Sequence, residues 1–219
     1  MKIVFATGNL HKLREAQEIL GDGFELVSPA SLGIDGDVPE TGETLRDNSI
    51  IKAEYLYEKT GLDCFADDTG LEVDALGGAP GVHTARYAHE LAMMRGLPAP
   101  PDHEFTANMD TLLAELGKLG PDAPRTARFR SVITLIIGGE KHFFEGVMEG
   151  RIAMQKAGCG GFGYDPVFIA DLYPDVTVAE LPEETKNAIS HRGNALRLMA
   201  QWLRENAPAL APIQRPADA

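Results

Sequence analysis

Along the chain, short apolar runs alternate with stretches whose apolar positions recur every three or four residues. Runs rich in β-branched residues and closed by a turn signal predict strands; the longer period predicts helices. Lys2–Ala6 predicts a strand ending in Thr7-Gly8-Asn9, after which Leu10, Leu13, Ala16, Gln17 and Leu20 share one face of a helix over Leu10–Leu20. Phe24–Ser28 predicts a second strand, and Ser31–Gly42 a polar loop containing Gly and Pro. A second helix is predicted over Thr44–Thr60, where Leu45, Ser49, Lys52, Ala53 and Leu56 fall at i, i+4, i+7, i+8 and i+11, one charge inside an otherwise buried stripe. Gly61 is placed to stop it. Asp63–Asp67 and Leu71–Ala75 read as short β-prone pieces flanking Asp68-Thr69-Gly70, with irregular chain over Gly77–Gly81.

The second half follows the same logic. A helix near Phe105–Leu116 lies between the Pro-rich segments Pro98–Asp102 and Gly120–Pro124. Arg128–Ile137 carries the strongest strand pattern and pairs with Lys141–Met148 through Gly138-Gly139. Gly158–Gly163 is a glycine-rich loop, and Leu181–Glu205 reads as an entry loop and one long final helix. Strands interleaved with helices predict an α/β fold, and the hairpin makes its sheet mixed. Residues 1–206 are read as one domain and the Ala- and Pro-rich 207–219 as a frayed tail.

Composition narrows the partners. The chain has 219 residues, 20 Lys plus Arg against 33 Asp plus Glu, and a formal charge of −13. A domain of this length buries roughly 70% of its unfolded surface and needs no staples. Such an acidic chain is a poor coat for nucleic acid, whose affinity rests on many cation–phosphate contacts; a small phosphate ligand needs only a few local cations. The longest strongly apolar run, Val132–Ile137, is far shorter than the ~20 residues of a spanning helix, so no membrane is expected. MKIVFATGN turns polar too early for a secretory signal. Cys64 and Cys159 are distant, which predicts two reduced thiols in a cytoplasmic protein and no metal cluster.

Four constellations carry candidate chemistry. Thr7-Gly8-Asn9-Leu10-His11-Lys12 opens a helix, where unpaired N–H groups and the dipole favour an anion; it equally fits an ordinary capped turn with a surface lysine. Asp67-Asp68-Thr69-Gly70, with Glu40 and Glu43 upstream, offers oxygen ligands of the kind Mg²⁺ takes and a carboxylate base, or else a solvated acidic turn. Its order differs from the Asp-x-Asp-Gly-Thr of phosphatases with an Asp nucleophile. Gly158-Cys159-Gly160-Gly161-Phe162-Gly163-Tyr164-Asp165 leaves an aromatic face on which a nucleobase can stack, or packs its Phe into the core. Lys186, Ser190, His191 and Arg192 supply donors near the start of the last helix, or form a basic surface end.

The order of these segments is more specific than any one of them. ATGNLHKLREAQEIL, ETGETLRDNSIIKA, FADDTGLEVDALGGAPGVHTARYA, GCGGFGYDPVF and ISHRGNAL together resemble the inosine/xanthosine triphosphate pyrophosphatase family, the non-canonical purine NTP pyrophosphatases, across nearly the whole chain. The resemblance implies an elongated mixed β-sheet flanked by helices in two lobes around a central cleft, and a cytoplasmic homodimer. It implies Mg²⁺-dependent hydrolysis of dITP, ITP or XTP to the monophosphate and pyrophosphate. By the same resemblance Thr7, Gly8, Asn9, Leu10, His11 and Lys12 hold the triphosphate, with Lys52 a further phosphate lysine. Glu40 and Asp68 bind the metal, and Asp68 is the general base, followed by Thr69 where Ser is common. Phe162, Gly163, Tyr164 and Asp165 form the base loop with Phe162 the stacking ring, and Lys186, His191 and Arg192 lie near the base. His83-Thr84 stand where Tyr-Ser is common, and His89 where Gly is common. Three alternatives remain at this point: a Maf-type pyrimidine nucleotide pyrophosphatase, a nucleotide-binding regulator without turnover, and an acidic interaction protein with no small ligand.

Overall fold

The structure is a computed structural model that describes residues 1–34 and 38–206. The proposed tail lies outside the described residues. Seven strands form one sheet in the order β2-β1-β3-β5-β6-β7, with β4 paired to β3 off this path. The strands are β1 Lys2–Phe5, β2 Glu25–Val27, β3 Cys64–Val73, β4 Pro80–Gly81, β5 Thr126–Ile137, β6 Glu140–Ile152 and β7 Phe168–Ala170. The helices are α1 Leu10–Leu20, α2 Leu45–Thr60, α3 Tyr87–Met94, α4 Phe105–Gly117, α5 Glu183–Ile189 and α6 His191–Asn206. β1 runs parallel to β2 and β3, whereas β3–β5, β5–β6 and β6–β7 are antiparallel, so the sheet is mixed.

The long strands β3, β5 and β6 tie two lobes together. At one end α1 and α6 bury Ala16, Leu20, Leu196, Met199 and Leu203 against Phe5, Phe65 and Ile133 on one sheet face. α2 covers the opposite face, where Ala53 and Leu56 meet Val4, Cys64, Ala66 and Ile136. The predicted α2 stripe is thus the buried one: Leu45, Ser49, Ala53 and Leu56 are all covered. A Thr44–Asp47 capping box starts the helix and Gly61 closes it. At the other end Leu112 and Leu116 of α4 pack with Leu71, Phe129, Tyr164 and Phe168.

Two expectations are corrected. Asp63–Asp67 and Leu71–Ala75 are not separate pieces: β3 runs unbroken through Asp68-Thr69-Gly70, each residue paired with β5 from Asp68↔Val132 to Gly70↔Arg130. Gly70 is required because a Cβ there would stand 2.5 Å from the carbonyl oxygen of Gly81, a close backbone approach rather than a bend. The long final helix is two helices, separated by Ser190 in extended conformation (φ −62°, ψ 140°). The Ser190 hydroxyl accepts from Gly193 N at 2.9 Å, restarting the chain as α6. α3 and the short β4 and β7 were not anticipated from the sequence.

Candidate active site

β1 ends at Phe5, but its neighbour β3 continues to Val73. Between Phe65 and Leu71 no strand pairs with that edge of β3 among the described residues. The notch at the carboxyl end of β1 opens into a cleft of about 900 Å³, the position where α/β sheets commonly hold ligands. Thr7, Gly8, Asn9, Lys12, Glu40, Lys52, Asp67, Arg86 and His103 are among its lining residues.

Neighbours on a strand point to opposite faces, and that alternation separates the two aspartates. Asp67 shares the face of Phe65 and meets α1 and α6: its carboxylate accepts from Lys12 Nζ at 3.1 and 2.9 Å and from Arg192 Nε at 3.0 Å. Asp68 shares the face of Ala66 and meets α2: it lies 2.6 Å from Lys52 Nζ and 3.4 Å from Asn48 Nδ2. Asn48 and Lys52 are one helical turn apart and so present to the same carboxylate. Asn48 Oδ1 also accepts Gly42 N at 2.8 Å, tying the loop after Glu40 to Asp68. Lys52 Nζ is 3.0 Å from Glu40 Oε1 as well, so one ammonium bridges two carboxylates.

The two aspartates titrate in opposite directions. Burial opposes ionisation of both. For Asp67 the cations Lys12, Arg192 and Lys52 overcome it and hold the carboxyl well below the usual range. For Asp68 burial prevails over Lys52, with Glu40 and Asp67 adding repulsion, and the carboxyl is pushed up to about 6. Burial works against the charge on Lys52, yet Asp68, Asp67 and Glu40 carry its pKa upward. Lys12 is lowered, chiefly by burial, with Arg192 adding repulsion against the pull of Asp67. Glu40 is drawn down by Lys52 and Arg86 in spite of partial burial.

At the start of α1 the Asn9 side chain accepts from His11 N (2.8 Å) and Lys12 N (3.4 Å), and Thr7 Oγ1 accepts from Asn9 N at 3.1 Å. Those two helix amides are therefore capped, and the loop presents its charge through Lys12. Leu10 and His11 are exposed; neither they nor Asp68, Thr69, the loop Phe162–Asp165, Lys186, His191 or Arg192 are among the residues lining the cleft, Asp68 lying behind Lys52 and Asn48. Thr69 donates to Ser131 Oγ across the sheet at 3.1 Å.

The glycine-rich loop is built around Asp165. Its Oδ2 accepts from Phe162 N at 2.7 Å and contacts Lys186 Nζ. Gly161 has φ +84° and no room for a Cβ, which would lie 2.8 Å from Asp165 Cβ. Phe162 is 69% exposed, held edge-on by Phe105 at 4.5 Å; it is an open platform, not a core residue. Tyr164 is buried and its hydroxyl donates to Thr84 O at 2.9 Å, so it anchors the loop. Burial pushes the Tyr164 phenol upward, keeping it a donor. His191 stacks on Phe129 at 4.9 Å with Nδ1 unpartnered; burial and Arg192 push it down to about 3, so it is neutral.

The structure thus brings Lys12, Asp67 and Arg192 into one cluster and Glu40, Lys52 and Asp68 into a second. Arg192 joins Asp67 rather than Lys186, which sits with the base loop. Sequence reasoning gave no role to Asn48, Glu15 or Arg86. Asn48 was detectable, four residues before Lys52 on the same helix face. Glu15, 3.5 Å from Arg192, is brought there only by tertiary packing. Cys64 is buried with its thiol directed at Ala53 O and pushed up to about 12 by burial, while Cys159 is exposed in the glycine-rich loop. Among the described residues no three His, Cys, Asp or Glu side chains come together as a metal cage, and no helix is long and apolar enough to cross a membrane.

Known proteins match this chain over most of its length. Residues 3–202 match the Ham1 family. The chain is similar to a dITP/XTP pyrophosphatase of Porphyromonas gingivalis, 48% identical over 202 residues, 92% of this chain and 97% of that one. It is 44% identical over 208 residues to a dITP/XTP pyrophosphatase of Photorhabdus laumondii, covering 93% and 98%. The solved structure of a HAM1 protein from Coxiella burnetii aligns with a TM-score of 0.81 at 36% identity, covering 94% of this chain and 99% of that chain.

Proposed function

This chain belongs to the Ham1 family, and from that premise we propose how its cleft hydrolyses the non-canonical purine nucleotides dITP, ITP and XTP to the monophosphate and pyrophosphate. The observation that carries the reading is the pair of clusters on opposite faces of β3. One is cationic and fit for a triphosphate; the other holds a carboxylate able to move a proton near neutral pH. Identity to named dITP/XTP pyrophosphatases over almost the full length supports the substrate class.

The site fits Mg²⁺. Glu40 and Asp68 converge on one cation, the ammonium of Lys52, and Asp68 remains under-compensated at its burial. Mg²⁺ is commonly held by one or two carboxylates plus substrate phosphates, without a protein-only cage. Glu40 and Asp68 would hold it, and when bound it would neutralise charge developing on the phosphoryl oxygens. Lys12 and Lys52 hold the triphosphate in line, and Phe162 stacks the base. Asp68 takes the proton of the water attacking the α-phosphorus. Arg192 spends Nε on Asp67 and lies with Nη1 3.5 Å from Glu15; its place near the base rests on the resemblance, and there it would offer a donor to the 6-oxo acceptor that hypoxanthine and xanthine share and adenine lacks. A buried donor left unmatched by adenine discriminates strongly. A cytoplasmic homodimer belongs to the same proposal; Met93, Met94 and Leu97, exposed around the end of α3, give it apolar surface.

The reading is tested by the products: dITP with Mg²⁺ yields pyrophosphate, and orthophosphate as first product overturns it. A pH dependence follows from Asp68. As a base it works ionised, so kcat/KM, which reports the free enzyme, is full well above the Asp68 pKa, is halved at about 6 and falls further as pH drops below it. A profile flat from pH 7.5 to 5 removes the base assignment.

A further inference from the structure

Glu40 sits in chain without regular secondary structure and is exposed along part of its surface, so no helix or strand of its own fixes its carboxylate. Two cations do. Lys52 takes Oε1, and Arg86 Nη1 takes Oε2 at 3.2 Å. Lys52 comes from the same lobe, but Arg86 comes from the opposite one, immediately before α3.

The segment carrying Arg86 is pinned by several contacts. Asn108 of α4, 1% exposed, accepts from Ala88 N and donates to Ala85 O, both at 2.8 Å, clasping the turn on either side of Arg86. Thr84 Oγ1 accepts from Leu71 N at 2.8 Å, and the Tyr164 hydroxyl donates to Thr84 O, which fixes the turn to β3 and to the base loop. The guanidinium is aimed in turn: Arg86 Nε donates to Glu90 Oε1 at 2.9 Å, one helical turn on. Glu90 Oε2 contacts His83 Nδ1, so Glu90 is held from its other side. A planar guanidinium fixed at Nε has its outer nitrogens fixed too.

We infer that Arg86, aimed by Glu90, is a positioning residue that holds the Glu40 carboxylate across the cleft in the orientation that receives the divalent cation, an inference resting on the reading of Glu40 as a metal carboxylate. Arg86 leaves Glu40 with spare lone pairs, since an ionised carboxylate offers about four acceptor sites. The same residue joins the base side of the cleft to the metal side, because its turn hangs from Tyr164 and its tip rests on Glu40.

The experiment compares wild type with Glu90→Gln, Arg86→Gln, Arg86→Lys and the Glu90→Gln/Arg86→Gln double variant. Two quantities are read: the Mg²⁺ concentration for half-maximal pyrophosphate release from saturating dITP, and Mn²⁺ binding to nucleotide-free protein by electron paramagnetic resonance. Loss of an outer partner of a metal ligand costs about tenfold or more in metal affinity. Each single variant is therefore expected to raise the Mg²⁺ requirement and weaken Mn²⁺ binding by about that factor, with kcat at saturating Mg²⁺ and KM for dITP little changed. Arg86→Lys keeps the charge but lacks the planar fork, and is expected to resemble Glu90→Gln. The double variant adds nothing to Arg86→Gln, because Glu90 acts through Arg86. Equal Mn²⁺ binding in all proteins, additive losses, or a raised KM for dITP with an unchanged Mg²⁺ requirement overturns the inference. Failure of wild type itself to release pyrophosphate from dITP would instead remove the reading beneath it.

Discussion

Asp68→Asn lowers kcat for dITP by about a thousandfold, the middle of the range for loss of a general base, while KM changes little. Asn matches the shape of Asp and keeps a carbonyl oxygen toward Lys52, giving up the 3.4 Å hydrogen bond from Asn48 Nδ2, so the cleft retains its form. It cannot accept the water proton. The acid limb of kcat/KM near pH 6 disappears in the variant, because the group that produces it is gone. Steady-state kinetics with dITP across pH checks both effects. Near wild-type turnover, or survival of the same acid limb, assigns the proton to another group.

The second large effect is on stability. Asp67 is almost wholly buried and faces two partly buried cations, Lys12 and Arg192. Asp67→Asn leaves Lys12 without its anion and Arg192 with Glu15 alone, at 3.5 Å; breaking a fully buried pair costs about 3–5 kcal/mol, and partial exposure of both cations brings the expected loss to about 2–3 kcal/mol. Urea denaturation at pH 7 measures it; a change under about 1 kcal/mol, the surface-pair range, would show that solvent already neutralises the cluster. The pH sign follows from the depressed pKa of Asp67. Its stabilisation is present above the unfolded-state value near 3.9 and is lost as pH falls toward the folded value. The variant lacks this acid-dependent loss. Pyrophosphate stabilises the variant more than the wild type, since it replaces the missing anion between Lys12 and Arg192.

Much of this architecture was legible because it is local. The β1–turn–α1 unit, the α2 stripe with Lys52 embedded in it, and the β5–β6 hairpin each follow from period and turn chemistry within a few residues. The unbroken β3 was not. Asp68 and Gly70 carry turn signals, but Gly70 serves a backbone approach by Gly81, a contact that only the folded chain makes. The break at Ser190 was hidden for a related reason, as a hydroxyl that caps α6 also sits comfortably in a continuous helical pattern. The α3 helix has no side-chain cap hydrogen bond and is placed by Asn108 from α4.

The site divides along the same line. Resemblance to the pyrophosphatases singled out Lys12, Lys52, Glu40, Asp68 and Arg192. The partition of Asp67 and Asp68 to opposite faces of β3 required the strand to be continuous. That partition gives adjacent identical residues different chemistry: one has its pKa drawn down by cations and anchors them, the other has its pKa pushed up to about 6. Arg86 and Glu90 act on Glu40 across more than forty residues of sequence, and no spacing rule reaches that far.

The most direct measurement is initial pyrophosphate release from dITP, XTP, dATP, dGTP and dTTP at equal concentration, each with and without Mg²⁺. Rapid release is expected from dITP and XTP with Mg²⁺, little from the other three, and none above background without the metal. Equal kcat/KM for dATP and dITP, or a preference for dTTP, would contradict the dITP/XTP assignment.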